Sequence, residues 1–145
     1  MKRIIVVLVS IIAVAFAASA VASGKAPTVK LRGSGLGKIV VNGRGRTAYM
    51  FTRDRRNRDV CAKINGCSSV WPALTVKGKP IAGPGLKSSL LGTIGLAGGV
   101  RQVTYAGHPL YTYSADTGPG QTDYVGVSQF RGTWYAVNSA GETVR

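Results

Sequence analysis

The chain has 145 residues, with 19 lysines and arginines against five acidic residues and a formal charge of +14. That length suits one compact domain, and 20 glycines with six prolines and little helical periodicity argue for strands and turns. A single histidine excludes a histidine metal cluster. The absence of zinc-finger spacing, a helix-turn-helix pattern or an aromatic RNA-binding signature argues against specific nucleic-acid recognition.

In chain order, Met1-Lys2-Arg3 is a positive start, and Ile4 to Ala18 is an apolar run broken only by Ser10. Small residues follow, Ala18-Ser19-Ala20 or Ala20-Val21-Ala22, either of which fits signal cleavage. The run is shorter than the roughly 20 residues that span a bilayer, which favours a cleaved signal peptide over 1–22 rather than an uncleaved anchor. Loss of Lys2 and Arg3 would take the charge from +14 to +12. No cysteine stands there to accept a lipid, so a secreted or extracytoplasmic cell-envelope location without a transmembrane helix is expected.

Residues 23–35 read as a flexible lead that ends in the glycine-rich Gly33-Ser34-Gly35-Leu36-Gly37. A single β domain is predicted over 36–145, built of two repeats at about 36–76 and 98–142. Lys38 to Val41 and Thr47 to Phe51 flank the turn Asn42-Gly43, a hairpin signal. Val76 to Pro80 reads as a turn, Gly83-Pro84-Gly85 as loop, and Leu86 to Leu91 as a short helical turn. Arg101 to Tyr105, the turn Ala106-Gly107 and Leu110 to Tyr113 form a second hairpin. Thr133 to Val137 and Glu142 to Arg145 form a last one. The fold class is all-β: two tandem hairpin-rich repeats packed as one small sandwich or barrel-like domain.

The repeat is explicit in a motif written twice. Gly45 to Asp54 returns as Gly107 to Asp116, offset by 62 residues, with the pattern G-x-x-x-Y-x-[FY]-x-x-D. Tyr49, Phe51 and Asp54 thus match Tyr111, Tyr113 and Asp116, and Trp71 answers Trp134 at an offset of 63. A duplicated unit implies two similar halves packed together. Side chains two apart on a strand share a face, so each aromatic pair presents two rings in one direction. Turned inward, they are core, with each aspartate holding a turn through backbone N–H groups. Turned outward, with the tryptophans, they make a carbohydrate or small-ligand surface. A glycosidase-like pair of Asp54 and Asp116 is disfavoured, because duplication gives both the same surroundings whereas an acid and a base need different ones. His108 precedes Pro109 at a turn and corresponds to Arg46. The Gly33 to Lys38 run lacks phosphate-loop spacing.

Six arginines, Arg44, Arg46, Arg53, Arg55, Arg56 and Arg58, crowd one stretch tempered by Asp54 and Asp59. They form a candidate basic patch for anionic envelope polymers or lipid head groups, against the alternative of a solvated loop. Cys61 and Cys67 are most simply a disulfide in an oxidising compartment. Their spacing is not C-x-x-C and no second ligand pair accompanies them, which disfavours a redox or metal-handling role. No cofactor, metal or catalytic residue is expected.

Tyr49-x4-Asp54 and Tyr111-x4-Asp116, with Cys61 and Cys67 before Trp71-Pro72, Gly107-His108-Pro109-Leu110-Tyr111 and Trp134-Tyr135-Ala136-Val137, complete the pattern. The chain resembles a bacterial family of secreted repeat proteins with a Y-x4-D motif, also described as a lipoprotein repeat of unknown function. The resemblance covers roughly residues 36–142 and implies an exported β-rich repeat protein. It brings no activity, and the lipid-accepting cysteine of many members is absent here.

Overall fold

A computed structural model describes residues 25–145, so the expected signal peptide over 1–22 lies outside the described residues. Among the described residues the strands are β1 Val29–Ser34, β2 Gly37–Asn42, β3 Tyr49–Phe51, β4 Thr75–Val76 and β5 Leu91–Gly95. They continue with β6 Arg101–Tyr105, β7 His108–Pro109, β8 Ser128–Gln129, β9 Gly132–Val137 and β10 Thr143–Val144. One turn of helix, α1 Cys67–Val70, and short 3-10 turns at Cys61–Lys63, Ser88–Leu90 and Ala97–Gly99 complete the regular structure of the described residues. The strands form antiparallel sheets ordered β1-β2, β10-β9-β3 with β8 on β9, and β4-β6-β5 with β7 on β6. The architecture is all-β and sandwich-like, and among the described residues no sheet closes into a barrel. Among the described residues no helix is long and apolar enough to cross a membrane.

The flexible lead expected over 23–35 is a strand from Val29 onward. β1 pairs with β2 along its whole length, from Val29 opposite Asn42 to Ser34 opposite Gly37. The glycines that suggest a loop instead make a tight turn, in which Gly37 takes φ +92° and Ser34 Oγ donates to the Gly37 carbonyl at 2.8 Å. Val29 is fully buried and Leu31 packs on the core. The alternation Val29-Lys30-Leu31-Arg32 is the strand signal that outweighs the glycines.

The predicted first hairpin exists only at its base. Asn42 N donates to Arg46 O at 2.8 Å and Ala48 N to Val40 O at 3.0 Å. Beyond that β3 leaves its neighbour and pairs with β9 of the other repeat, Tyr49 opposite Ala136 and Phe51 opposite Trp134. The exchange is reciprocal. Leu74 N bonds Leu110 O at 2.8 Å and Thr112 N bonds Pro72 O at 3.0 Å, so the tryptophan segment of the first repeat lies on the aromatic strand of the second. At the centre Tyr49 and Tyr111 exchange both backbone bonds, at 2.8 and 2.9 Å. The repeats are interlocked rather than side by side.

Interlocking follows from burial on both faces. Tyr49 and Phe51 enter an aromatic cluster with Cys61, Cys67, Trp71, Tyr111 and Trp134. Ala48 and Met50, one residue out of phase, enter an aliphatic cluster with Val40, Val103, Leu110 and Val137. A strand covered on both faces has no water for its backbone groups and must find partners along both edges. Gly132 marks how closely the layers approach, since a Cβ there would lie 2.5 Å from Phe51 Cε2. Gly132→Ala is therefore expected to destabilise by about 1–3 kcal/mol, as overpacking does. Gly95→Ala, where nothing lies within 4 Å, is expected to stay near wild type. Paired urea denaturation curves read the difference.

Candidate functional site

The repeated residues meet on an approximate internal twofold. Trp71 and Trp134 stack with centroids 4.0 Å apart and planes 2° apart. Phe51 lies on the outer side of Trp134 at 4.1 Å and 11°, and Tyr113 on Trp71 at 4.5 Å and 41°. Tyr49 meets Trp71 edge-on at 5.1 Å and 76°, and Tyr111 meets Trp134 at 5.1 Å and 88°. Each contact has its mate in the other repeat, in the offset and edge-to-face geometries that aromatic quadrupoles favour. Tyr49, Phe51, Trp71 and Trp134 are fully buried, Tyr111 nearly so, and Tyr113 half-buried. Sugar stacking requires an open ring face, and the first five have none.

The carboxylates are crossed as well. The Tyr111 hydroxyl donates to Asp54 Oδ2 at 2.8 Å, and the Tyr49 hydroxyl donates to Asp116 Oδ2 at 3.2 Å. The phenol of each repeat finds the aspartate of the other. Asp54 Oδ1 also accepts from Val60 N at 2.7 Å, which is the turn-holding role expected from sequence. Asp116 Oδ1 is buried with no hydrogen-bond partner. Burial, more than any neighbour, pushes both carboxyls up, each from 3.8 to about 6. Their hydrogen bonds act the other way, as does Arg46 beside Asp116. Burial and then the facing aspartate push both phenols up, so they remain protonated donors.

The six arginines do not form one patch. Arg53, Arg55 and Arg58 line a cleft of about 400 Å³ with Lys63, over Asp59 and Val60. Arg55 and Arg58 exchange backbone bonds at 3.2 and 2.9 Å across a turn, and Arg53 Nη1 is fixed on the Phe130 carbonyl at 2.9 Å. Asp59 Oδ1 accepts from Ala62 N at 2.8 Å, starting the helical turn that carries Lys63. Cys61 and Cys67 close a disulfide just behind, with Cα atoms 5.4 Å apart. Arg56 is absent from that cleft; its Nη1 is on the Ala106 carbonyl at 3.2 Å, in a second cleft with His108 that Arg55 also borders. Arg46 is beside Asp116, and Arg44 borders Pro27 and Thr28. Lys63 is the residue sequence reasoning missed; its signal was the Asp59-x-x-Ala62 cap spacing. Among the described residues no group of three or more histidine, cysteine or acidic side chains is placed to hold a metal ion.

A family model described as a secreted repeat of unknown function matches residues 31–75 and 92–138. No curated protein and no solved structure matches the chain.

The raised carboxyls set a pH dependence whose sign is fixed. A folded-state value of about 6 against an ordinary 3.8 gives stability that is present at low pH and is lost as pH rises through 6. Going from pH 7.5 to 5, each aspartate should add roughly 1–1.5 kcal/mol. His108, pushed down by burial, opposes this below its ordinary value. Asp116→Asn isolates one share: its gain in Tm between pH 7.5 and 5 should be smaller than wild type's. Tyr49→Phe should cost about 1–3 kcal/mol at pH 7.5, because it strips Asp116 of its one hydrogen bond, and less at pH 5. Thermal melts at the two pH values check both.

Proposed function

The chain belongs to a family of secreted repeats of unknown function, and on that premise we propose that it is an exported cell-envelope binding protein rather than an enzyme. It holds anionic envelope polymers in the cleft lined by Arg53, Arg55, Arg58 and Lys63. The observation that carries this reading is the convergence of those four cations on one exposed cleft of about 400 Å³. The repeated aromatics other than Tyr113 are absorbed by the core and the carboxylates are engaged by its phenols, which leaves the basic loop as the cationic chemistry at the surface. The positive start and apolar run of residues 1–22 support export.

The cleft suits an extended anion better than a compact one. Guanidinium forks read phosphate or carboxylate oxygens in pairs, while Lys63 adds an adaptable point charge. Arg53 is anchored by a backbone carbonyl, Arg55 and Arg58 are paired through their backbones, and the disulfide begins two residues before Lys63, so little side-chain and loop entropy is lost when a polymer is held. The remaining positive charge of the chain draws polyanions in from a distance.

Binding of poly(glycerol phosphate), followed by titration calorimetry at rising salt, tests the reading. Affinity should fall steeply as the Debye length shrinks from about 10 Å at 0.1 M to about 3 Å at 1 M. Arg55→Ala combined with Arg58→Ala and Lys63→Ala should weaken binding about tenfold or more, some 1.4 kcal/mol over three screened contacts. Arg44→Ala should leave it near wild type. Salt-independent binding, or an unaffected triple variant, overturns the assignment.

A further inference from the structure

We propose that Tyr113 and Tyr124 form an oxidative modification site, at which a one-electron oxidant joins the two rings as an intramolecular dityrosine. The pair stands apart from the basic cleft and does not depend on its reading. Its ring centroids are 3.9 Å apart with planes at 44°, and burial and then the neighbouring Tyr124 push the Tyr113 phenol up. Both residues are half-buried, so their rings are held in place yet remain open to a small oxidant. The other phenols are placed differently. Tyr49 and Tyr111 are buried on aspartates. Tyr105 is buried and donates to the Ser139 carbonyl at 2.8 Å, and Tyr135 lies under the Arg145 guanidinium.

The position within the repeat gives the pair a role. Cys61 stands ten residues before Trp71, and Tyr124 stands ten residues before Trp134. The first repeat closes its post-aspartate loop with a disulfide to Cys67, whereas the second has no cysteine. A Tyr113–Tyr124 bond would close the second loop instead. The segment it would tie down, between 113 and 124, contains Asp116, which receives the Tyr49 hydroxyl. It also contains Gln121, whose carbonyl accepts from Thr47 and whose side chain holds Thr117 N and Gly118 N at 2.6 and 2.8 Å. The second repeat would thereby gain a covalent staple over the part of the loop that supports the core.

The chemistry balances with peroxide as terminal acceptor. Each phenol gives up one electron and one proton, and the two phenoxyl radicals couple through ring carbons ortho to oxygen. The coupled product rearomatises by moving two ring protons onto oxygen. The two electrons and two protons reduce one hydrogen peroxide to two waters, and the protein loses two hydrogen atoms.

Treatment of the protein with a haem peroxidase and hydrogen peroxide tests this. The expected product is a monomer lighter by two hydrogens, with dityrosine fluorescence, a peptide linked through residues 113 and 124, and a raised Tm. Tyr113→Phe and Tyr124→Phe keep the ring stack and should each abolish the monomeric product; Tyr135→Phe should not. Cross-links formed only between molecules, monomeric product persisting in Tyr124→Phe, or no cross-link in the folded wild type would each overturn the proposal.

Discussion

Two phenol–carboxylate bonds running in opposite directions across the internal twofold hold the rest of the structure in register. Each central tyrosine is fixed at both ends: its backbone pairs with the other tyrosine, and its hydroxyl reaches the other repeat's aspartate. With the tyrosines so placed, their ring edges set the two indoles face to face. A hydrogen bond to a charged group is worth roughly 1.5–3 kcal/mol. Burying the carboxylates takes much of that back, as their upward displacement to about 6 records. What the bonds chiefly supply is specification. A repeat slipped by one residue would turn Tyr49 and Phe51 toward the aliphatic cluster and strip both aspartates of their phenol donors, leaving Asp116 with none.

The crossing also explains why the duplication yields one core rather than two. Separated from its mate, the first repeat would keep β2 and the base of its hairpin but lose β9, the partner of β3. It would also lose the second indole of the stack. A strand buried on both faces cannot be completed by its own repeat. The disulfide does not substitute for this partnership, because it closes a local loop behind the aromatic cluster and leaves the strand exchange untouched.

Much of this was legible in the sequence, and the exceptions have physical reasons. The period of two in Tyr49-Met50-Phe51 and the turn at Ala106-Gly107 announced strands, and Cys61 with Cys67 announced a bridge. β1 was masked because Gly33 and Gly35 signal a loop locally, while its pairing with β2 is settled only by the burial of Val29. The exchange of partners was invisible for a deeper reason. A repeated motif gives spacing within a copy, and nothing in Y-x4-D says that the tyrosine of one copy bonds the aspartate of the other. The arginines were read as neighbours because they are close along the chain. The turn at 55–58 leaves Arg56 on the Ala106 carbonyl in a second cleft, and the turn held by Asp59 brings in Lys63.

The two repeats agree in their cores and differ in the loops that follow each aspartate, and that contrast locates where function can reside. After Asp54 the loop is arginine-rich, capped by Asp59 and tied by a disulfide. After Asp116 it carries Gly118-Pro119-Gly120, Asp123 and Tyr124, whose ring packs at a tilt against Tyr113. The internal twofold constrains rings and carboxylates that must satisfy one another, so neither copy can change alone without leaving an orphaned partner. The loops lie outside that mutual constraint, the usual place for binding chemistry on a rigid scaffold. Divergence after duplication has therefore put a cationic cleft in the loop of one repeat and a close tyrosine pair at the loop of the other.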